Sequence, residues 1–261
     1  LFNILNLAGL NALFRWLHRG QIKVLLYHNI TPGAAHFANA ISPEEFDAQI
    51  AELKRTCNVI GIDQQGQWLG LRSDRVNVLI SFDDGFVNNL THALPVLQKR
   101  GVNGIFFLIA DCLATGAPPH FVKEADADAD GSPYRTLTAT QARQMADAGM
   151  TIGSHSMAHR DHRLLSDEDM LADSRQARTI VATAVDKPVD LFAFPWGYYS
   201  PGQEQMLSSE FARIFLTRHG FAKPEDTVIP RNEVTDLAHL RVATSGLLDW
   251  MKALSGKESP Y

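Results

Sequence analysis

The stretch "VNVLISFDDGFVNN", residues 76–89, decides how the chain is read. Its first seven residues are largely apolar and β-branched, as suits a strand buried on both faces. The run then passes without a break into Asp83, Asp84 and Gly85. Neighbouring carboxylates raise each other's pKa, so a buried strand that ends on two of them needs a reason. In parallel α/β folds, ligands bind beyond the carboxyl ends of the strands. The pair falls at such an end.

Outward from this stretch, strand-like runs alternate with helical patterns. "IKVLLYH" (22–28), "GIFFLIA" (104–110), "TIGSH" (151–155), "DLFAFP" (190–195) and "ARIFLT" (212–217) read as strands. "SPEEFDAQIAELKRT" (42–56) announces a helix by Ser42 at the N-cap, Pro43 at the first helical position and Glu45 at the third. Residues 89–101, 138–150 and 166–185 carry helical patterns, the first stopped by Gly101 and the last opened by Ser166. This alternation predicts a mainly parallel sheet with helical crossovers, closed or nearly closed as one barrel. The exception is 114–136, rich in Pro, Gly and acids, which reads as an inserted loop. Within it "DADADG" (126–131) matches the start of a calcium loop, but the twelfth position is Leu137 where a bidentate Glu is needed. A solvated acidic loop is the reading adopted.

Residues 1–21 form a separate element. "LFNILNLAGLNALFRWLHRG" has helical apolar periodicity interrupted by Arg15 and Arg19. An amphipathic helix packed on the following domain is expected, with a membrane-proximal placement as the alternative. No signal-peptide cleavage pattern is evident.

Composition sets bounds. The 261 residues are 45% hydrophobic and 20% charged, enough to bury a large core. The net charge of −5, without a dense Lys/Arg block, argues against nucleic acid as a partner. Cys57 and Cys112 exclude a disulfide framework but leave one bridge or two free thiols open.

Several polar residues sit where strands end: His28, Asp83, Asp84, His155 and the Pro195-Trp196-Gly197 turn. "HSMAH" (155–159) places two histidines four apart, a spacing suited to a divalent ion. Alone it is weak. His162 shows that the segment is rich in histidine, and a solvated polar loop is the commoner origin of such a pattern. With an aspartate it becomes a two-histidine, one-carboxylate set, which acidifies bound water. The neighbouring aspartate then has a role as proton acceptor.

In order and at these separations, "SFDDG" (81–85), "HSMAH" and "FAFPWGYY" (192–199) resemble the polysaccharide deacetylases of carbohydrate esterase family 4, the NodB-homology domain. "LLYHNI" (25–30) adds to the likeness, which covers roughly residues 22–232. The resemblance implies a distorted (β/α)7 barrel over residues 22–261, and a hydrolase of linear amide bonds that removes N-acetyl groups from amino sugars. It implies Asp83 as general base and Asp84, His155 and His159 as ligands of a divalent metal, usually Zn2+. His28, Pro195, Trp196 and Tyr198 would line the substrate site, with a backbone N–H of Trp196 or Tyr198 completing an oxyanion site. The partner implied is an acetylated amino-sugar polysaccharide, oligosaccharide or lipid-linked glycan. The compartment implied is periplasmic, secreted or membrane-associated.

Two departures qualify this. The arginine that often precedes the third-motif proline by two residues is replaced by Ala193, a variant form also met in exopolysaccharide-type members. Arg231 is the candidate to reach Asp83 instead. The late leucine-rich motif ending in histidine has no clean match, which leaves His219 as candidate general acid, with His28 also able to reach the site. Two alternatives stay open: a deacylase of another small acyl group, such as formyl, on a glycolipid-linked amino sugar, and a degenerate barrel that binds glycan without turnover.

Overall fold

In the computed structural model, residues 8–34, 39–123 and 134–250 are described. Its centre is a closed, all-parallel barrel of seven strands: β1 (Ile22–Tyr27), β7 (Asn77–Phe82), β8 (Ile105–Leu108), β9 (Thr151–Ser154), β10 (Leu191–Ala193), β11 (Arg213–Leu216) and β12 (Val228–Glu233). β1 closes it by pairing with β7 on one side (Val24 with Leu79) and β12 on the other (Val24 with Arg231). The barrel is distorted because β8 pairs only with the top of β7, at Ser81 and Phe82. Short β4 (Asn58–Val59) takes the lower part of the same edge, at Asn77 and Val78. Two minor pairs lie outside: β2 (Asn29–Ile30) with β3 (Ala40–Ile41), and β5 (Gly61–Ile62) with β6 (Trp68–Leu69).

Every residue of β1, β7, β8, β9 and β10 is buried, the continuous apolar pattern expected of strands covered on both faces. Ile22, Val24, Leu79, Ile105, Phe107, Phe215 and Ile229 fill the barrel, while Leu25, Tyr27, Ile80, Phe82 and Phe106 face the helices. The helices return the chain between strands. α2 (Pro43–Thr56) is capped by Ser42, which accepts from the Glu45 N–H. A π-turn (Asn89–Ala93) leads into α3 (Leu94–Arg100), which ends at left-handed Gly101. α4 (Ala110–Thr115), α5 (Ala139–Asp147), α6 (Asp167–Val185) and α7 (Pro201–Glu210) follow, then α8 (Leu237–Ser245) after β12. α1 (Ala8–Leu17) packs on α8.

The strand at 228–233 escapes the sequence pattern: "VIPRNE" carries a proline and three polar residues in a row. Pro230 is accommodated as the partner of Leu216, and no helix intervenes between β11 and β12. The inserted loop also begins later than its composition suggests, since residues 114 and 115 belong to α4. Residues 126–131, the acidic run, lie outside the described residues. Cys57 and Cys112 are both buried and free, which closes the question of a bridge.

Candidate active site

The site is built where the strands end. After β7 the ladder runs one residue further, the Asp83 N–H donating to the Tyr27 carbonyl at 3.1 Å. Asp84 (φ 71°) and Gly85 (φ 72°) then turn the chain in the left-handed region, which aspartate tolerates better than most residues and glycine freely. A Cβ at Gly85 would fall 2.8 Å from a Leu108 methyl, so the turn needs glycine for space as well. Both carboxylates are buried in consequence.

The histidine turn after β9 is tied down from three directions. The His155 N–H donates to Leu108, and those of Ala110 and Asp111, opening α4, donate to the carbonyls of Ser156 and Met157. Asp173 on α6 accepts the Met157 N–H at 2.9 Å, and the Ser156 hydroxyl accepts that of His159 at 3.0 Å. The turn places Ser156 (φ 65°) and His159 (φ 56°) in the left-handed region. His162, read from sequence as part of a solvated loop, is instead fully buried against Phe192 and Phe194.

Asp84, His155 and His159 form a three-residue metal-binding site, one ligand atom of each lying within 4.8 Å of the others. His155 Nδ1 is 2.9 Å from the Ala193 carbonyl, which requires Nδ1–H and turns the Nε2 lone pair towards the carboxylates, 3.7 Å from Asp84 Oδ1. His159 Nε2 is 3.4 Å from the same oxygen, which is buried without a hydrogen bond in the protein. The donor set fits a divalent cation. Burial pushes Asp84 up to about 7, with His28 opposing and Asp83 adding. Burial also pushes His155 down to about 4 and His159 down to about 2. Two neutral imidazoles beside a carboxylate that resists ionisation are what a dication between them stabilises.

Asp83 is held differently. Arg231, on β12 and fully buried, grips it with both arms of the guanidinium, 2.6 Å to Oδ1 and 2.8 Å to Oδ2. Burial, the largest single influence, would raise Asp83; the Arg231 charge, His155 and the Arg231 hydrogen bonds together outweigh it and hold the carboxyl at about 2. Two adjacent aspartates are thus driven in opposite directions by their surroundings.

The remaining sequence candidates divide. His28 is half-buried at the end of β1, and its charge acts on Asp83, Asp84, His155 and His159. It also lines a cavity of about 150 Å³ with Asn29, Glu233 and Thr235, beside the ligand set rather than over it. Trp196 (φ 59°), 44% exposed, stands 4.7 Å from the His159 ring, centroid to centroid. Pro195 is buried beneath it. The Tyr198 N–H donates to the Pro195 carbonyl and that of Gly197 to Phe194, so the Trp196 N–H is the one these turn bonds leave unengaged. The Tyr198 ring is stacked under Arg163 at 3.8 Å.

His219 is not brought to the carboxylate pair. It bonds the Asn232 side chain and lies 4.0 Å from Asp249. Asn232 follows Arg231 on the same strand and points to the opposite face, so His219 sits outside the barrel. A residue that sequence reading missed is Phe121, whose ring is 4.7 Å from His159 and 5.1 Å from Trp196. It comes from the inserted loop, whose stem is stitched to the aspartate turn. Val87 N–H donates to Arg135, Leu137 N–H to Gly85, and the Thr136 hydroxyl to Ala117.

Comparison with known proteins gives this geometry a lineage. Residues 72–209 match the family model described as polysaccharide deacetylase. YxkH of Bacillus subtilis (strain 168), provisionally named a polysaccharide deacetylase, is 22% identical over 183 residues, 69% of this chain. The chain spans 58% of the length of that relative. Among solved structures, the Streptococcus pyogenes deacetylase PplD in complex with acetate superposes with a TM-score of 0.67 at 18% identity, over 88% of this chain and 97% of its own. IcaB from Ammonifex degensii gives 0.67 at 23% identity, over 87% and 97%.

Proposed function

The chain belongs to the polysaccharide deacetylase family, and on that premise we propose that it is a metal-dependent hydrolase removing N-acetyl groups from the amino sugars of a glycan. The observation that carries the reading is the juxtaposition at one barrel end of a dication site and an ionised carboxylate clamped by Arg231. Metal-assisted hydrolysis of an amide uses both, the cation to acidify water and the carboxylate to take its proton.

Asp84, His155 and His159 would hold the cation, and two imidazoles with one carboxylate suit Zn2+. When bound, it polarises the acyl carbonyl and acidifies the attacking water. Asp83 takes the proton of that water. Each of its oxygens keeps a lone pair beyond the one Arg231 engages, so the clamp fixes the base without consuming it. The Trp196 N–H lies at the turn where an oxyanion can be met. His28 acts electrostatically on both aspartates, and it is assigned the proton delivered to the leaving amine. Phe121 and Trp196 offer flat apolar faces to a sugar ring. The degenerate, binding-only reading drew on Ala193 and the missing late motif; Arg231 supplies a guanidinium at Asp83 from another strand, which answers the first of these.

The test is acetate release from a panel of partially N-acetylated glycans by the metal-loaded chain. Asp83→Asn should lower the rate by at least about 100-fold with bound metal unchanged. Acetate release by Asp83→Asn at the wild-type rate would refute the role of Asp83; no acetate from any acetylated amino sugar would refute the substrate class.

A further inference from the structure

Helix α1 is turned inside out. A surface helix ordinarily buries its apolar stripe and shows water its polar face. Along α1 and the residue that follows it, Asn11 is buried, and Phe14, Arg15 and His18 are half-buried. Leu10, Leu13, Trp16 and Leu17 point outward with exposures of 37%, 52%, 58% and 54%. Trp250, packed edge-on to Phe14, is a further 51% exposed. An apolar face of this kind marks a contact surface.

Charge says what meets it. The whole chain carries −5, yet no acidic residue precedes Glu44, while Arg15 and Arg19 fall within and just beyond the helix. The Arg19 guanidinium lies 4.3 Å over the Trp16 ring and donates to the Trp16 carbonyl at 2.9 Å. Tryptophan and arginine together at the edge of a leucine stripe match the boundary between acyl chains and anionic headgroups. A second copy of the chain suits the face less well, because a two-fold contact would set these cations against their own kind. We propose that the outward face of α1 docks on an anionic lipid surface. α1 leads into the N-terminal end of β1, the end of that strand opposite the one at which Asp83 and Asp84 follow β7.

Co-sedimentation of the full chain with vesicles tests this. It should pellet with phosphatidylcholine vesicles containing phosphatidylglycerol, less with phosphatidylcholine alone, and less as salt is raised. The double variant Leu13→Glu, Trp16→Glu should lose at least about tenfold in partitioning, with metal content and melting temperature unchanged. Arg19→Glu should weaken binding to the anionic vesicles and spare the residual binding to phosphatidylcholine. A chain that stays in the supernatant with both vesicles overturns the proposal, as does a double variant that pellets like the parent. A dimer in solution that the double variant dissolves, without vesicle binding, assigns the face to self-association and equally overturns it.

Discussion

Asp83 and Asp84 show how one residue step separates two chemistries. Asp83 has an arginine and stays charged; Asp84 has burial and does not, until a cation arrives. Metal affinity should therefore depend on pH with a definite sign. Below about 7 a cation must displace a proton from Asp84, so affinity should rise about tenfold per pH unit and flatten above about 7. His155 and His159, at about 4 and about 2, are already neutral between about pH 5 and 7 and add no slope there. Competitive chelator titration measures this, and an affinity that does not change with pH below 7 contradicts the arrangement. Arg231→Lys keeps the charge but loses the fork. The Asp83 carboxyl should rise, so the acid limb of the rate profile should move to higher pH and kcat should fall by about 10- to 100-fold at constant metal content. A profile identical to the parent would show that the clamp is dispensable.

At the scale of elements, the site depends on how the histidine turn is strapped. Two left-handed, non-glycine residues, Ser156 and His159, cost conformational energy that the surrounding hydrogen bonds must meet. Asp173, nearly two turns into α6, supplies one of them by accepting the Met157 N–H. Asp173→Ala should weaken metal binding by about 10- to 100-fold, and Asp173→Asn, which keeps an acceptor oxygen, should recover most of it. Equal losses in both variants would assign the effect to charge rather than to the strap. These straps also mark the limit of what sequence discloses. The helix at 43–56, with Ser42 and Pro43 in capping positions, was legible because its signals are local. So was the strand into Asp83, whose burial on both faces shows as a largely apolar run without period-two alternation. β12 was not, because "VIPRNE" reads as loop until barrel closure hands Pro230 and Arg231 their partners. Phe121 was hidden for a similar reason: the loop that carries it is composed like solvent-exposed chain, and only the stem bonds at Val87 and Leu137 bring it over His159.

At the scale of the whole molecule, the two ends of the described chain meet beside the seam between β1 and β12. Lys23, fully buried on β1, donates to Asp249 at 2.7 Å and to the Gly220 carbonyl at 2.9 Å, under the Phe221 ring. His18, just after α1, stacks on that ring at 4.3 Å. Asp249→Ala would remove a carboxylate from a buried ammonium, at a cost of about 3 kcal/mol, and should lower the melting temperature by several degrees without touching metal affinity. A melting temperature equal to the parent's would mean that the seam does not rely on this pair. The same seam bears on how the site is divided along the chain. All three residues of the metal-binding site precede Arg160 in sequence order, whereas the arginine that clamps Asp83 comes on β12, the last strand of the barrel. A chain cut short before β12 would keep Asp84, His155 and His159 and lose the guanidinium that fixes Asp83, so the metal-binding set and the clamped carboxylate are separable by truncation.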